Sequence, residues 1–426
     1  MLLYISITLL VIIVGSFLIS ARKGILAVFL SKPIIDASWS YFFGAVMISP
    51  VRAAGVMVPI LVFIRSLGKG IRVTKIPLFG VWIAYVGYSI FAYAFNIFEF
   101  GFVKYVELVF RALNGLVGYY MIQAYFTDRE SFRKLLLCLI VAGFFPMFVG
   151  LYQAVTGVVW HQDITVGLER SSGLYHDIQT VRQYVFQTLT AIILYWCYFF
   201  RSGRDFLKKA LILGFTMVCL IVLYKTYSKA AIVILALWAA IWTVSRRQYV
   251  LLVVVVVSLV SVNLMLGDRL SSETEQLFSR ELAATDKSSI QMSGDEAKKR
   301  TLAGRWYIWE EYLNEYMERP IIFMILGNGN PGASHNDFLA TLLSSGLIGL
   351  MLYCTLLISI GFKVTVNYVR ERTPLNVMAA MLFSMWMVDA MGLVPSLYPS
   401  YQWYVWGFIG LSFQGVRFDL PETGNN

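Results

Sequence analysis

Long uninterrupted apolar runs, separated by short polar breaks, dominate this chain. Residues 2–20, 50–64, 77–95, 102–126, 135–156, 184–200, 210–224, 230–244, 251–266, 335–362, 375–393 and 401–413 all read as helices, and a bilayer crossing takes about 20 such residues. The runs are continuous instead of alternating, which argues against a β-barrel. Residues 24–36 are short for a crossing and contain Lys32-Pro33, where Pro33 predicts a break. That piece reads as re-entrant, as interfacial, or as the first half of a kinked helix reaching Ile48. The expected architecture is all-α: a polytopic transmembrane helical bundle of about 12 spans, forming one integral-membrane domain over 1–426. Two polar segments interrupt it, a shorter one at 158–180 and a long one at 267–334, before the third-last span. Within the long one, Asp286 to Arg300 is charged and poor in aromatics, so mobility is expected there. Met1 to Ser20 lacks a basic leading region and reads as a retained span, not a signal peptide.

Composition agrees. The chain is 58% hydrophobic and 14% charged, with a mean hydropathy of +0.68, which belongs to polytopic helical membrane proteins and not to a soluble domain. The net charge of +10 does not imply nucleic acid, because the basic residues fall in short loops that set orientation and meet membrane lipids. Those loops are Arg65–Lys75, Arg129–Lys134, Arg201–Lys209, Arg246–Arg247 and Lys363–Arg372. An even number of spans separates each from the next, so all can share the cytoplasmic side. The segments Asn96–Gly101, Gly157–Thr180, Lys225–Lys229, Gly267–Ser334 and Val394–Ser400 then face outward, with Arg52. Arg22 and Lys23 join the basic side only if 24–48 crosses the bilayer. The four cysteines lie in apolar runs without metal-ligand spacing, so no disulfide and no metal site is expected.

The richest chemistry lies between Gly304 and Leu350. An aromatic segment carrying Arg305 leads into a glycine-rich turn, which delivers Ser334-His335-Asn336-Asp337 to an apolar helix. Ser334 and Asp337 have capping-box spacing, so Ser334 is the expected N-cap and His335 the first helical residue. The positive end of the helix dipole there disfavours imidazolium and predicts a neutral, proton-accepting ring. Trp306, Trp309, Tyr312 and Tyr316 predict a helix lying along the membrane interface or a sugar-stacking surface. Elsewhere, Glu107 and Arg111 have the spacing of a mutually satisfied pair. His161 and His176 read as solvated loop residues, and Asp389 as a lone intramembrane acid.

Gly304-Arg305, Pro320, Gly327, Gly329, His335-Asn336 and Gly346-Leu-Ile-Gly349 together resemble the signature of the bacterial O-antigen ligase and polymerase family. The resemblance implies an integral-membrane inverting glycosyltransferase in the bacterial cytoplasmic (inner) membrane, with its site on the extracytoplasmic face. Its donor would be an undecaprenyl-diphosphate-linked glycan, its acceptor a glycan or lipid A-core, and it would need no cofactor and no metal. On this reading His335 is the catalytic base. Arg305, Lys229, Arg182 and Arg52 hold the diphosphate, and Ser334, Asn336, Asp337 and Arg170 support them. The family's Thr or Ser, Ser, Arg at the start of one span stands here as Tyr227-Ser228-Lys229; a lysine keeps the point charge but loses the bidentate fork. The form His335-Asn336-Asp337-Phe338-Leu339 is nearer to the polymerases than to the ligases. A transporter of lipid-linked glycans would share an anion clamp, but it usually carries inverted repeats, and none is visible.

Overall fold

A computed structural model describes residues 1–42, 49–67, 76–95, 97–158, 160, 170–200, 206–247, 305–416 and 418. The valine-rich run 251–266, the charged stretch 286–300, His161 and the basic residues Lys69, Arg72, Lys75 and Arg201 lie outside the described residues. All regular structure among the described residues is helical. In order the helices are α1 (Leu2–Ile19), α2 (Ala21–Asp36), α3 (Pro50–Leu67), α4 (Phe79–Ala94), α5 (Ile97–Tyr125), α6 (Arg129–Thr156) and α7 (Ile178–Phe199). Then follow α8 (Phe206–Lys225), α9 (Lys229–Arg246), α10 (Arg305–Met317), α11 (Ile321–Leu326), α12 (Asp337–Arg370), α13 (Pro374–Gly392) and α14 (Pro399–Ser412). Seven of them, α1, α3, α6, α8, α9, α12 and α13, are long and apolar enough to cross a membrane.

The centre of the bundle is α14, which buries nearly all of its residues. A helix apolar around its whole circumference belongs inside, and here α5, α7 and α13 pack around it. Gly118 of α5 makes the closest approach possible: a Cβ there would lie 2.7 Å from the Gln402 carbonyl oxygen and 2.8 Å from Trp403 Cα. Small residues let backbones meet in this way where helix association depends on van der Waals fit.

The bundle has two chemically different ends. At one end the arginines cap loops and helix termini. Arg22 pairs with Asp128 at 2.7 Å, Arg65 Nε donates to the Phe17 carbonyl at 2.5 Å, and Arg129 Nη2 to that of Tyr198 at 3.0 Å. Arg372 Nη1 donates to the Val244 carbonyl at 3.1 Å. Of the basic loops expected to share a side, the described residues Arg65, Arg129 and Arg372 thus hold neighbouring helix ends by their carbonyls. Helix α2 starts beside Asp128 with Arg22 and ends where Tyr184 OH, in the first turns of α7, donates to Asp36 Oδ2 at 2.5 Å. The break expected at Pro33 does not occur there. The helix continues to Asp36, where the buried Lys32–Asp36 ion pair and the Tyr184 bond hold the last turn.

The expected Glu107–Arg111 pair does not form either. Glu107 turns to Lys104 at 3.2 Å and Arg52 at 3.9 Å, while Arg111 Nη2 reaches Ser396 Oγ at 3.1 Å. A tertiary acceptor in the bundle competes successfully with the local one.

One helix is divided. Gly346 has φ +62° and ψ −168°, so residues 337–345 of α12 form a short half-helix ahead of 347–370. The backbone of Gly327 fits into the break, with no room for a Cβ on either glycine. The break frees carbonyls that must find other donors. That of Leu343 accepts from Arg319 Nη1 at 2.8 Å, and that of Ser344 from the Gly329 N–H at 2.9 Å. Substituting Gly346→Ala should therefore lower stability by at least about 1–3 kcal/mol, the cost of a left-handed residue with a Cβ. Gly87→Ala in α4 meets nothing within 4 Å and should instead stabilise by up to about 1 kcal/mol. Thermal unfolding of both variants in detergent checks the contrast.

Candidate functional site

The loop that carries His335 is shaped by α10. Three of its aromatics, at helical spacing, turn inward and bond to the loop: Trp309 Nε1 to the Ser334 carbonyl at 2.9 Å, and Tyr316 OH to the Met324 carbonyl at 2.6 Å. Tyr312 OH accepts from the Ala333 N–H at 2.9 Å. Only Trp306 of the four is turned outward, half-exposed. The polar tips of the other three are spent on bracing the turn.

The cap is also corrected. Asn336, not Ser334, is the N-cap of α12, its Oδ1 accepting from the Leu339 N–H at 3.0 Å. Ser334 is fully buried and its Oγ donates to the Asn336 carbonyl at 3.0 Å. His335 therefore stands just ahead of the helix, at φ +49°. Few residues with a Cβ adopt that conformation, histidine among the more frequent, and such strain clusters at functional sites. The imidazole keeps an exposed edge. Burial by the surrounding loop, and second the Arg305 guanidinium, hold its pKa below the ordinary histidine value. The neutral ring expected from the helix dipole is thus favoured by different causes.

Several candidate residues meet at the C-terminal end of α13. Asn336 Nδ2 donates to the Met391 carbonyl at 3.2 Å. Arg305, the first residue of α10, lies over Gly392, where a Cβ would come 3.0 Å from its Nη1. Asp389 is not a lone acid: Arg182 pairs with its Oδ1 in full burial, and Tyr401 OH donates to its Oδ2 at 2.7 Å. The other arm of Arg182, Nη1, donates to Ser228 Oγ at 3.1 Å. Ser228 caps α9, so Lys229 in that first turn is held to the same place. Arg170 Nη2 reaches the Tyr227 carbonyl at 3.4 Å and so braces the turn before Lys229. Of the four expected diphosphate ligands, Arg305 and Arg182 reach this helix end, Lys229 follows the Ser228 cap that Arg182 bonds, and Arg52 faces Glu107 on α5.

Asp337 turns away from this meeting point into the bundle. Its Oδ2 accepts from Tyr353 OH at 2.5 Å and its Oδ1 from Ser396 Oγ at 2.7 Å. Trp386 Nε1 in turn donates to Tyr353 OH at 3.1 Å. Arg111, Tyr353 and Ser396 were not readable as site residues. The Arg182–Asp389 pair did leave a signal, since opposite charges inside apolar runs must satisfy each other. Removing one member should be severe: Asp389→Ala strands a buried guanidinium and should cost about 3–5 kcal/mol. The double replacement Arg182→Met with Asp389→Leu should recover much of that in a detergent unfolding assay.

Residues 211–354 match the family model described as O-antigen ligase. That stretch contains Lys229, Arg305, Ser334, His335, Asn336 and Asp337, and leaves out Arg52, Arg170 and Arg182. No curated protein matches the chain. The resemblance in residues 304–349 therefore stands within a longer match, and residues 211–354 carry a domain of the O-antigen ligase and polymerase family.

Proposed function

We propose that this chain is a membrane glycosyltransferase of the polymerase kind, which moves a glycan from an undecaprenyl diphosphate carrier onto the hydroxyl of a growing lipid-linked glycan. The observation that carries the reading is His335, a neutral-leaning imidazole in a strained turn, within electrostatic reach of Arg305 at the end of the bundle opposite the basic loops. By the positive-inside tendency that end faces the extracytoplasmic side of the inner membrane. There a diphosphate stays at headgroup depth while its lipid tail remains in the bilayer.

In the proposed reaction His335 takes the proton of the acceptor hydroxyl as its oxygen forms a bond to the anomeric carbon. The bond from that carbon to the carrier diphosphate breaks, and its electron pair goes to the diphosphate. One displacement of this kind inverts the anomeric centre. Arg305 and Lys229, with Arg52 on the flank, stabilise the charge left on the diphosphate; fixed cations in a site of low dielectric do this effectively. Arg182, already bonded to Asp389 and Ser228, contributes its field and holds Lys229 in place. Asn336, Ser334, Asp337 and Arg170 keep the two loops in register. The printed description of the matched family favours a second reading, transfer of the finished glycan to lipid A-core. An assay offering the purified protein a defined diphosphate-lipid glycan and both acceptors separates the two: chain extension supports the polymerase, a modified lipid A-core the ligase.

His335→Asn keeps a residue that tolerates the left-handed turn and removes the base. Transfer should fall by roughly 10²–10⁴-fold, with the melting temperature nearly unchanged; retained activity removes the base assignment. The pH dependence has a definite sign. The rate needs neutral imidazole, whose pKa is lowered, so the acid limb of kcat/KM should lie below the ordinary histidine value of about 6.5. Arg305→Gln removes a positive neighbour and should move that limb upward, besides lowering the rate.

A further inference from the structure

The side chains of α10 sort by helical spacing into three rows. Trp309, Tyr312 and Tyr316 brace the turn, as described above. Glu311, Asn314, Glu315 and Glu318 form an exposed polar row. Trp306, Leu313 and Met317 form a third row, which is apolar and also exposed, 68% at Met317. Helix α11 extends it. Ile321, Ile322 and Ile325 are turned outward, Ile321 at 75%, while Phe323 packs against Phe95 of α4.

The surroundings of this patch identify what covers it. Helix α11 ends against the break in α12, where a Cβ on Gly346 would lie 2.4 Å from the Ile325 carbonyl oxygen. That contact is a half-helix, about 13 Å along the axis, inside an element long and apolar enough to cross a membrane. The patch also runs without interruption into outward-facing residues of the bundle, Phe91 and Phe95 of α4 on one side and Leu347 and Met351 of α12 on the other. Finally, two carbonyls at the end of α11 are taken by tyrosines: Met324 accepts from Tyr316 OH at 2.6 Å and Leu326 from Tyr88 OH at 3.1 Å. Acyl chains supply no donor, so a helix end among lipids has to be satisfied by protein.

We propose that α10 and α11 form an interfacial hairpin immersed in the lipid leaflet on the His335 side of the bundle. Acyl chains cover Trp306, Leu313, Met317, Ile321, Ile322 and Ile325, and the acidic row stands in water. A helix with one apolar and one charged exposed face lies in the plane of such an interface. The placement rests on the surface alone and not on the reaction proposed above. Because Arg305 opens α10, immersion also fixes the depth of its guanidinium, near the headgroups.

Site-directed spin labelling tests this on the full chain in vesicles of phosphatidylethanolamine and phosphatidylglycerol. Cys138, Cys197, Cys219 and Cys354 are first replaced by alanine, and nitroxides are attached in Leu313→Cys, Met317→Cys, Ile321→Cys, Glu311→Cys and Glu318→Cys. Collision is measured with oxygen, which concentrates among acyl chains, and with a water-soluble nickel chelate. Labels at 313, 317 and 321 should lie about 5–10 Å inside the headgroup boundary, and those at 311 and 318 outside it. Access of the nickel chelate to the apolar row overturns the proposal. So does a row shielded from both reagents, which would mean that protein, a second copy or another segment of this chain, covers it. Should the cysteine-free chain fail to fold, the unaltered protein is photolysed with a phospholipid carrying a diazirine in mid-chain. Labelled residues within 306–325 should then be those of the apolar row and α11; label confined to the long spans overturns the proposal.

Discussion

The buried ion pair between Arg182 and Asp389 is the contact on which the site-forming end of this bundle depends. Neither group reaches solvent, and a lone charge at that depth is costly in a protein surrounded by lipid. The pair adds little net stability over an apolar pair of equal volume, because desolvation offsets most of the attraction. Its value is in what it connects. Arg182 belongs to α7 and also bonds Ser228, the cap of α9; Asp389 belongs to α13 and also accepts from Tyr401 of α14. Four helices, α7, α9, α13 and α14, are therefore held in one register. Both Lys229 and the end of α13, where Asn336 and Arg305 rest, inherit their positions from it.

The second constraint is the discontinuity in α12. A continuous helix through residue 346 would leave no place for the backbone at Gly327. With the break, the glycine-rich turn nests against the half-helix and the freed carbonyls of Leu343 and Ser344 are satisfied by Arg319 and by the turn itself. The left-handed His335 is the last element of the same arrangement. Its neighbours Ser334 and Asn336 are each bonded on both sides, so the backbone between them has little freedom to relax.

The all-helical architecture was legible because apolar run length reports helices directly. The glycines at 327 and 346 were legible as a motif, though their reason, a close backbone approach, was not. What failed was local in kind. Capping-box spacing pointed to Ser334, yet the residue two positions later took the cap, because Ser334 is held by Trp309 and by the Asn336 carbonyl. Spacing paired Glu107 with Arg111, yet Ser396, nearly three hundred residues away, attracts the arginine. Pro33 marked a break that side chains from α7 and α14 overrule. In each case a neighbour in sequence lost to a partner supplied by the fold, and no one-dimensional pattern contains that partner.

The segments around His335 are held from outside largely through their main chain. Carbonyl oxygens of Met324, Leu326, Ser334 and Leu343 receive bonds from Tyr316, Tyr88, Trp309 and Arg319 respectively. Every residue type offers the same carbonyl, whereas few offer such donors. The shape of the loop is thus encoded in side chains that mostly lie outside it, and the identities of the acceptor residues are left open to drift. Divergent chains of this fold can vary the wall that a substrate meets while keeping the scaffold that aims the imidazole.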